Sequence, residues 1–429
     1  MKEFFNIDQR LLALDQKARE KCAPVFAKID EIARYNQHKM LAAFINNGVS
    51  ETHLGISTGY GYGDAGRDKL EQVFAEAVGA EDSLIRHNFV SGTHTLTVML
   101  FGVLRPGDSM LSLTGRPYDT LIGVLGIDEP SEGSLADFGI NYNQVELDKN
   151  GEPDINAIKS ELQSKHYKVA YIQRSRGYSL RPSLTVEKIG ELCKAVKEVS
   201  PDTLILVDNC YGEFVEKCEP LAVGADLIAG SLIKNPGGGI APTGGYIAGR
   251  RDLVELCGYR LTAPGVGREV GASLGHNREL YMGLFAAPHT VGEALKSAVF
   301  AAALFNLLGY EATPSYDAER ADIIESVLLR TPEALIAFCQ GMQKGAPVDS
   351  FVVPEAWDMP GYDDKVIMAA GAFTLGASIE LSADAPLREP FAAWLQGGLN
   401  FHSAEAGILL AAQSMLDKGI LKLEDICNG

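Results

Sequence analysis

The strongest constraint on the fold is an alternation in the middle of the chain between short apolar runs and longer helix-like stretches. Apolar runs with few charges predict buried strands, and periodic stretches between them predict helices. The runs are LIRHNFV, SMLSL, VAYIQR, TLILVD, ADLIAG and GGYIAG, and the stretches include THTLTVMLFGVL and TVEKIGELCKAVKEV. This order predicts an α/β fold, with a mostly parallel central sheet and helices on both faces.

The same patterns divide the chain into three parts. Residues 1–47 have helical spacing and predict an N-terminal helical arm. Residues 48–287 begin at a glycine- and tyrosine-rich tract, contain the alternation, and predict a large α/β domain. Residues 288–429 contain a long helical tract, the strand candidates VIMAAGAFTLGASIEL and a closing helix, HSAEAGILLAAQSML. They predict a smaller α+β C-terminal domain.

Composition limits the partners and the compartment. The 429 residues carry 38 Lys+Arg against 56 Asp+Glu, a formal net charge of −18, and this field repels nucleic acid and anionic membrane surfaces. The N-terminus does not have the pattern of a signal peptide, and the apolar runs are too short for a membrane helix. Seven scattered cysteines without a CxxC motif predict a reduced cytoplasm and no metal site.

Polar residues that follow the predicted strands indicate the functional site, because open α/β sheets bind ligands at the carboxyl ends of their strands. Ser91, Gly92, Thr93 and His94 follow LIRHNFV and open a helix. They form either an anion-binding helix N-terminus or an ordinary helix cap. Asp208 ends TLILVD, where a buried carboxylate needs a cationic partner, unless it caps the next helix.

Lys234 stands in GSLIKNPGGGIAPTGGYIAGR, between an apolar run and a group of glycines. A lysine at the end of a buried strand can serve as a nucleophile, whereas an exposed lysine only keeps a loop soluble. The separation from Asp208 (234 − 208 = 26 residues) leaves room for one helix and one strand, which places both residues at the ends of neighbouring strands. Arg174 and Arg176 follow VAYIQ and offer guanidinium groups to a carboxylate or a phenolate oxygen, or form surface ion pairs.

Together these residues describe a pyridoxal phosphate site. It needs a phosphate cup, an aspartate for the pyridine nitrogen, an imidazole that can lie on the ring, here His94, and a lysine that can form an imine. Two nucleotide motifs are excluded. The GxGxxG in GYGYGDAG does not follow a strand, and the sequence contains no GxxxxGK[ST].

The segments GADLIAGSLIKNPGGGIAPTGGYIAG and VDNCYGEF resemble those of the cysteine and methionine metabolism enzymes of the fold-type I pyridoxal phosphate class. QRSRGY, RLTAPGVG and GASIELSADAPLREP narrow the resemblance to the bacterial methionine gamma-lyase-like family, also called aluminium resistance or cystathionine beta-lyase-like proteins. The resemblance covers nearly the whole chain. It implies that Lys234 carries pyridoxal 5'-phosphate, that Asp208 pairs with the pyridine nitrogen and that His94 stacks on the ring.

The resemblance also assigns residues to the cofactor phosphate. Ser91, Gly92, Thr93 and Ser231 are expected to hold it, and Arg176 is expected to contact the cofactor.

The remaining expected site residues concern the substrate and a second subunit. Tyr60 or Tyr62 is expected to reach the phosphate of a neighbouring subunit and to protonate the leaving sulfur, in a homodimer or homotetramer with shared active sites. Arg388, together with Arg174, is expected to bind the substrate carboxylate.

The implied function is a carbon-sulfur lyase acting on an amino acid of the cystathionine or methionine type. Lys234 removes the Cα proton, and β- or γ-elimination yields a thiol, ammonia and a 2-oxo acid. An aminotransferase, an amino-acid aldolase and a non-catalytic pyridoxal-phosphate-binding stress protein remain alternatives. Ile233 stands where better-known lyases often have a hydroxyl residue, and GYGYGDAG lacks their tyrosine and arginine pair, which leaves the side-chain specificity open.

Overall fold

The computed structural model describes residues 1–128, 131–359 and 364–423. The helices are α1 (Gln9–Asn46), α2 (Ala65–Val78), α3 (Gly92–Val103), α4 (Asp119–Leu125), α5 (Ile155–Ser164), α6 (Val186–Val199), α7 (Arg251–Leu261), α8 (Asn277–Leu307), α9 (Pro332–Lys344) and α10 (Phe401–Asp417). The strands are β1 (Asp82–Arg86), β2 (Ser109–Ser112), β3 (Asn141–Gln144), β4 (Val169–Gln173), β5 (Leu204–Asp208), β6 (Leu227–Ser231), β7 (Gly245–Gly249), β8 (Glu311–Thr313), β9 (Glu325–Leu328), β10 (Val366–Ala369), β11 (Ser382–Pro386) and β12 (Ala392–Gln396).

The chain forms two compact units. The large unit is Tyr35–Ala287, and the small unit combines Met1–Arg34 with Pro288–Gly429. Helix α1, which occupies most of the predicted N-terminal arm, begins in the small unit and ends in the large one. Helix α8 likewise contains the division at residue 288.

The large unit is built on a seven-stranded sheet in the order β3-β2-β4-β5-β6-β7-β1. The pairs from β3 to β6 are parallel, and β7 runs antiparallel to both of its neighbours. The predicted α/β fold with a mostly parallel sheet is therefore confirmed. Apolar residues of the central strands pack with α3 and α7 in one buried cluster that includes Leu206, Leu227, Met99 and Val254.

The predicted sheet differs from the structure in two details. Strand β1 ends at Arg86, so the last part of LIRHNFV is a turn that leads into α3. Strand β3 has the polar sequence NYNQ and was not predicted, because an edge strand of four residues can remain partly exposed and needs no apolar run.

The small unit contains a five-stranded antiparallel sheet in the order β10-β11-β12-β9-β8. Of the strand candidate VIMAAGAFTLGASIEL, only Val366–Ala369 is a strand. The carboxylate of Glu380 accepts hydrogen bonds from the backbone N–H groups of Phe373 and Thr374, so this segment turns instead of joining the sheet. The closing helix is confirmed as α10, whose N-cap Asn400 accepts a hydrogen bond from Ser403 N.

Helix α8 is the one segment of the described residues that is long and apolar enough to cross a membrane. Its most apolar window has a mean hydropathy of 1.2, and 78% of that window is buried inside the protein. Such burial is typical of the core helix of a soluble protein.

Candidate active site

Lys234 lies just past the carboxyl end of β6, three residues after Ser231. All five residues of β6 are buried, whereas Lys234 keeps partial exposure to solvent. Its Nζ lies 3.9 Å from the ring centroid of Tyr211, within the range of a cation–π contact. The sequence therefore placed the lysine correctly, just past the carboxyl end of a buried strand.

Asp208 is the last residue of β5, the strand that pairs with β6. Its side chain is nearly buried, and Oδ1 accepts a hydrogen bond from Cys210 N at 3.1 Å. Asp208 is among the groups whose charge acts on Lys234. The predicted juxtaposition of these two residues at neighbouring strand ends is present in the structure.

The N-terminus of α3 lies beside the same strand ends. Ser91 caps the helix, and its Oγ accepts from His94 N at 3.0 Å. A Cβ atom added to Gly92 would lie 3.4 Å from Ser231 Cβ and 3.9 Å from Cys210 Sγ. The helix start, the end of β6 and the loop after β5 therefore meet around Gly92, and the first backbone N–H groups of a helix have no internal acceptors.

Two other predicted residues belong to this helix start. Thr93 Oγ1 lies 2.7 Å from Thr120 Oγ1, a hydrogen bond that connects the start of α3 to the start of α4. His94 Nδ1 accepts a hydrogen bond from Val90 N, which orients the ring, and burial lowers the pKa of His94, so the ring is neutral. The stacking role of His94 remains a prediction.

Four ionisable groups act on the charge of Lys234, and two of them are carboxyl groups. Burial lowers the pKa of the Lys234 ammonium, but Cys210, Tyr211, Asp208 and Glu213 outweigh this effect, so the net pKa is raised. Burial also raises the pKa of Cys210 well above its ordinary value, so this thiol is neutral and the carboxyl groups carry the negative charge. The amine becomes a free nucleophile when that charge is reduced or matched by a cation.

Glu213 is a site residue that the sequence analysis missed. Its Oε1 accepts a hydrogen bond from Tyr246 Oη at 2.7 Å, while its Oε2 has no partner among the described residues. Burial raises the pKa of Glu213 to about 8, although the hydrogen bond from Tyr246 lowers it. The segment VDNCYGEF has no periodicity that would distinguish a buried glutamate from an exposed one. Only the fold of the loop shows that Glu213 is buried.

Tyr118 and Gln173 were also missed. Gln173 ends β4 opposite Asp208 in the register, and its Oε1 accepts from Tyr118 N at 2.7 Å. Tyr118 follows the end of β2 and immediately precedes α4, so a third strand end supplies an aromatic side chain to this edge. Tyr118 stands five residues past SMLSL, so the rule that identified Asp208, a polar residue directly after an apolar strand, does not reach it.

The expected contact of Arg174 with substrate is wrong. Its side chain is fully buried and donates to Asn209 Oδ1 at 2.8 Å, to Glu216 Oε2 at 2.6 Å and to Glu219 Oε2 at 3.4 Å. The remaining Nε donates to Leu184 O at 3.3 Å. Since each guanidinium nitrogen already donates to an oxygen of the protein, Arg174 stabilises the loop after β5 and does not bind a ligand.

Arg176 and Arg388 differ in their surroundings. Arg176 is buried, with its Nε 3.5 Å from Ser183 Oγ. Arg388 is exposed in the small unit, where it donates to Asp364 Oδ2 at 3.1 Å. The carboxylate that Arg388 holds in this structure belongs to the chain itself, and the predicted roles of both arginines stay predictions.

Tyr60 and Tyr62 project from a loop of the large unit. Their rings lie 5.6 Å apart and are 76% and 68% exposed. Gly61 between them has φ 63°, and a Cβ there would lie 2.6 Å from the backbone of Ala272, so the position requires glycine. The loop is thus held in place while its two phenol groups face solvent.

The profile of the family described as methionine gamma-lyase matches residues 11–416. The chain belongs to the methionine gamma-lyase family.

Solved structures of similar proteins agree with this membership. A Clostridium novyi protein named a carbon-sulfur lyase involved in aluminum resistance is 50% identical, with a TM-score of 0.93 over 96% of this chain and 97% of that one. A Clostridium acetobutylicum protein, provisionally named a cystathionine beta-lyase involved in aluminum resistance, is 49% identical, with a TM-score of 0.93 over 96% of each chain.

A distant neighbour shows how widely the fold is shared. Cystathionine gamma synthase from Xanthomonas oryzae, solved in complex with cystathionine, has a TM-score of 0.60 at 17% identity, over 90% of this chain and 99% of that one. At this identity the likeness shows the fold alone, which is that of the fold-type I pyridoxal phosphate enzymes.

The residues present fit pyridoxal phosphate. The start of α3 offers backbone N–H groups to a phosphate beside Gly92, where a side chain would fill the space against Ser231. Asp208 offers a carboxylate for a protonated ring nitrogen, and Lys234 offers the amine. Within the described ranges, no three His, Cys, Asp or Glu side chains are grouped to hold a metal ion.

Proposed function

We propose that this protein is a pyridoxal-phosphate-dependent carbon-sulfur lyase that acts on an amino acid of the cystathionine or methionine type. The observation that carries the proposal is the meeting of Lys234, Asp208 and the start of α3 at adjoining strand ends of one sheet. The names of the similar Clostridium proteins support the same reaction class.

Each residue of the site contributes a separate function. The N–H groups at the start of α3, with Ser91, Thr93 and Ser231, would hold the phosphate. Asp208, fixed by Cys210 N, would keep a proton on the ring nitrogen. When bound, pyridoxal phosphate supplies an electron sink for the electrons left at Cα.

Proton transfer is assigned to Lys234 and to the exposed tyrosines. The Lys234 amine, once its proton is released, would remove the Cα proton of the substrate. A phenol group, that of Tyr60 or Tyr62, would donate a proton to the departing sulfur, so that the products are a thiol, ammonia and a 2-oxo acid.

The reaction is tested with L-cystathionine, added pyridoxal phosphate and the purified protein. With the uptake of one water, β cleavage gives homocysteine, pyruvate and ammonia, whereas γ cleavage gives cysteine, 2-oxobutyrate and ammonia. We expect one of the two 2-oxo acids from the wild type and neither from Lys234→Ala. Absence of both products with bound cofactor would contradict a lyase of this substrate class and direct the search to aminotransferase, aldolase or non-catalytic functions.

The proposal includes a homodimer or homotetramer in which Tyr60 or Tyr62 serves the site of a neighbouring copy. Large exposed aromatic groups on a fixed loop support it, since such side chains are enriched at protein interfaces. Mixing inactive Lys234→Ala with an inactive Tyr60→Phe/Tyr62→Phe double variant tests it. Shared sites predict that the mixture regains up to about a quarter of the activity through hybrid dimers, and no recovery in verified hybrids would contradict it.

A further inference from the structure

A buried polar network adjoins the loop that follows Lys234, and its member Glu213 is one of the two carboxyl groups whose charge acts on the amine. Tyr246 Oη, on β7, donates to Glu213 Oε1 at 2.7 Å and lies 3.4 Å from Asn209 Nδ2. Glu213 is 1% exposed, so its carboxyl group has no access to bulk water. Its Oε2 has no hydrogen-bond partner within the part of the chain that the structure describes.

Several local features serve to place this carboxyl group. Gly230 on β6 makes room for it, because a Cβ there would lie 2.6 Å from Glu213 Oε1 and 2.9 Å from Tyr246 Oη. The amide of Asn235, which follows Lys234 in sequence, donates to the backbone carbonyls of Tyr211 and Glu213, both at 3.0 Å. The backbone next to the lysine therefore also fixes the loop that carries the acid.

The loop itself is strained. Tyr211 has φ 71° and Phe214 has φ 60°, both left-handed conformations that non-glycine residues rarely adopt. Asn36 Nδ2 donates to the carbonyls of Phe214 and Glu216 at 3.0 and 2.9 Å and so holds the loop on its other side. Backbone strain and a buried carboxyl oxygen without a hydrogen bond both cost free energy of folding. A protein that keeps both at one place, in a loop held by two asparagine amides, calls for a functional explanation.

We propose that Glu213 is a positioning residue whose change of charge sets the protonation state of the Lys234 amine. Glu213 acts through Lys234. This proposal adds to the proposed function and rests on one part of it, namely that Lys234 is the reacting amine. As a neutral acid, Glu213 leaves the amine free to lose its proton; as a carboxylate, it holds the amine as an ammonium ion.

The charges around the two groups are consistent with this role. Around Glu213 are Tyr246 on β7, Lys234 after β6, and Glu219 and Cys210 after β5. Around Lys234 are Cys210, Tyr211, Asp208 and Glu213. Since Asp208 faces the predicted ring nitrogen, Glu213 is the carboxyl group of this set that remains to tune the amine.

The direction of the pH effect follows from the burial of Glu213. Burial raises the pKa of Glu213 to about 8, so the acid is neutral at pH 7 and ionised at pH 9. The Lys234 amine of the wild type is thus held as an ammonium ion more strongly above pH 8 than below it. Glu213→Gln stays neutral at every pH and lacks this effect.

The first readout is the reactivity of Lys234 in the cofactor-free protein. Trace acetic anhydride labelling from pH 6 to pH 10, followed by peptide mass spectrometry, compares Lys234 with the exposed Lys149. We expect wild type and Glu213→Gln to match at pH 6.5, and Lys234 of Glu213→Gln to be at least about tenfold more reactive at pH 9. Identical profiles in folded proteins would overturn the proposal.

Tyr246→Phe provides an independent variant, which decides the question if Glu213→Gln does not fold. The hydrogen bond from Tyr246 lowers the pKa of Glu213, so removing this bond should raise that pKa. The pH above which Lys234 becomes less reactive than in Glu213→Gln should therefore be higher in Tyr246→Phe than in the wild type. An unshifted profile would contradict the proposal. Tyr259 and Glu255 form the same pair on the surface, with Oη to Oε1 at 2.6 Å, and Tyr259→Phe and Glu255→Gln serve as matched controls.

A spectroscopic readout separates this proposal from the proposed function. With pyridoxal phosphate bound, the absorbance of the lysine-bound cofactor should show a transition near pH 8 in the wild type that Glu213→Gln lacks. If the labelling profiles differ but no cofactor binds, the lyase proposal fails and the role of Glu213 stands. If cofactor and lyase activity are present but both readouts are unchanged in Glu213→Gln, the role of Glu213 fails alone.

Discussion

Two clusters of buried charge lie at adjoining strand ends of the large unit, and they are organised differently. Around Arg174, every guanidinium nitrogen donates to an oxygen, and Glu219 Oε1 also accepts from Phe214 N. In the residues next to Lys234 and acting on it, Asn235 Oδ1 and Glu213 Oε2 are buried and have no hydrogen-bond partner within the described part of the chain. The first cluster is complete without a ligand, and the second is not.

This difference distinguishes a cluster that stabilises local structure from one that is available to a ligand. A buried ion pair whose groups are all hydrogen-bonded fixes local structure, and its removal leaves an unpaired charge. A buried group with an unused acceptor carries an energetic cost that a ligand or a proton can offset. The arginine cluster holds the loop that carries Glu213, and the lysine cluster contains the residues that we propose to act on the ligand.

The largest effect is expected for Lys234→Ala. Removing the amine should lower the rate of 2-oxo acid release by about 10³-fold or more, because both the cofactor link and the proton acceptor are lost. Lys234→Ala should also unfold at a lower temperature than the wild type, because the raised pKa of Lys234 means that its ammonium is favoured in the folded protein. Lys149→Ala, an exposed lysine, is the control, and substantial activity in Lys234→Ala would assign the chemistry to another group.

Arg174→Met should have the opposite profile, with stability affected first. Losing the guanidinium leaves the buried Glu219 and the half-buried Glu216 without their cation, at a cost of about 3–5 kcal/mol in the free energy of unfolding. Urea denaturation measures this cost, and Arg116→Met, which breaks an exposed pair with Asp128, is the control that we expect to change the stability much less. Equal effects of the two variants would remove the contrast between the clusters.

Glu213→Gln should change the pH dependence of stability. The pKa of Glu213 rises from 4.5 to about 8 on folding, so its contribution to stability is complete below pH 4.5 and is lost as the pH rises through 8. The variant avoids that loss, and relative to the wild type its stability should increase between pH 5 and pH 8, on the order of 3–4 kcal/mol. Urea unfolding at several pH values tests this, and a constant difference would mean that Glu213 is ionised throughout.

Gly92→Ala should give the smallest effect and affect the ligand alone. Its methyl group would touch Ser231 and Cys210 at van der Waals distance, so the protein should fold normally while the affinity for pyridoxal phosphate falls about tenfold. Fluorescence titration measures the affinity. Gly123→Ala, in α4 with open space around the added atom, is the matched control, and unchanged binding in Gly92→Ala would place the phosphate elsewhere.

The sheet and the positions of Lys234 and Asp208 could be predicted from the sequence, because each follows from local pattern. Apolar runs define the buried strands, and the direction of a parallel sheet places their ends at one edge. Strand β3 was not predicted, because a polar edge strand has no such apolar pattern.

The fate of Arg174 and Glu213 could not be predicted, because it depends on how the loop after β5 folds. The sequence predicts that Arg174 contacts a ligand, whereas in the structure Glu216 and Glu219 pair with its guanidinium group. Glu213 looks like a surface residue in VDNCYGEF, and only Gly230 and Tyr246, on other strands, show that it is buried. Long-range contacts of this kind leave no periodic trace in a sequence.

The most direct test of the central claim is to incubate the protein with pyridoxal phosphate, reduce it with borohydride and map the modified peptide by mass spectrometry. The account predicts one pyridoxyl group per chain, on Lys234, at cofactor concentrations that leave Lys149 unmodified. Labelling distributed over surface lysines, or stoichiometric labelling of a lysine other than Lys234, would contradict it.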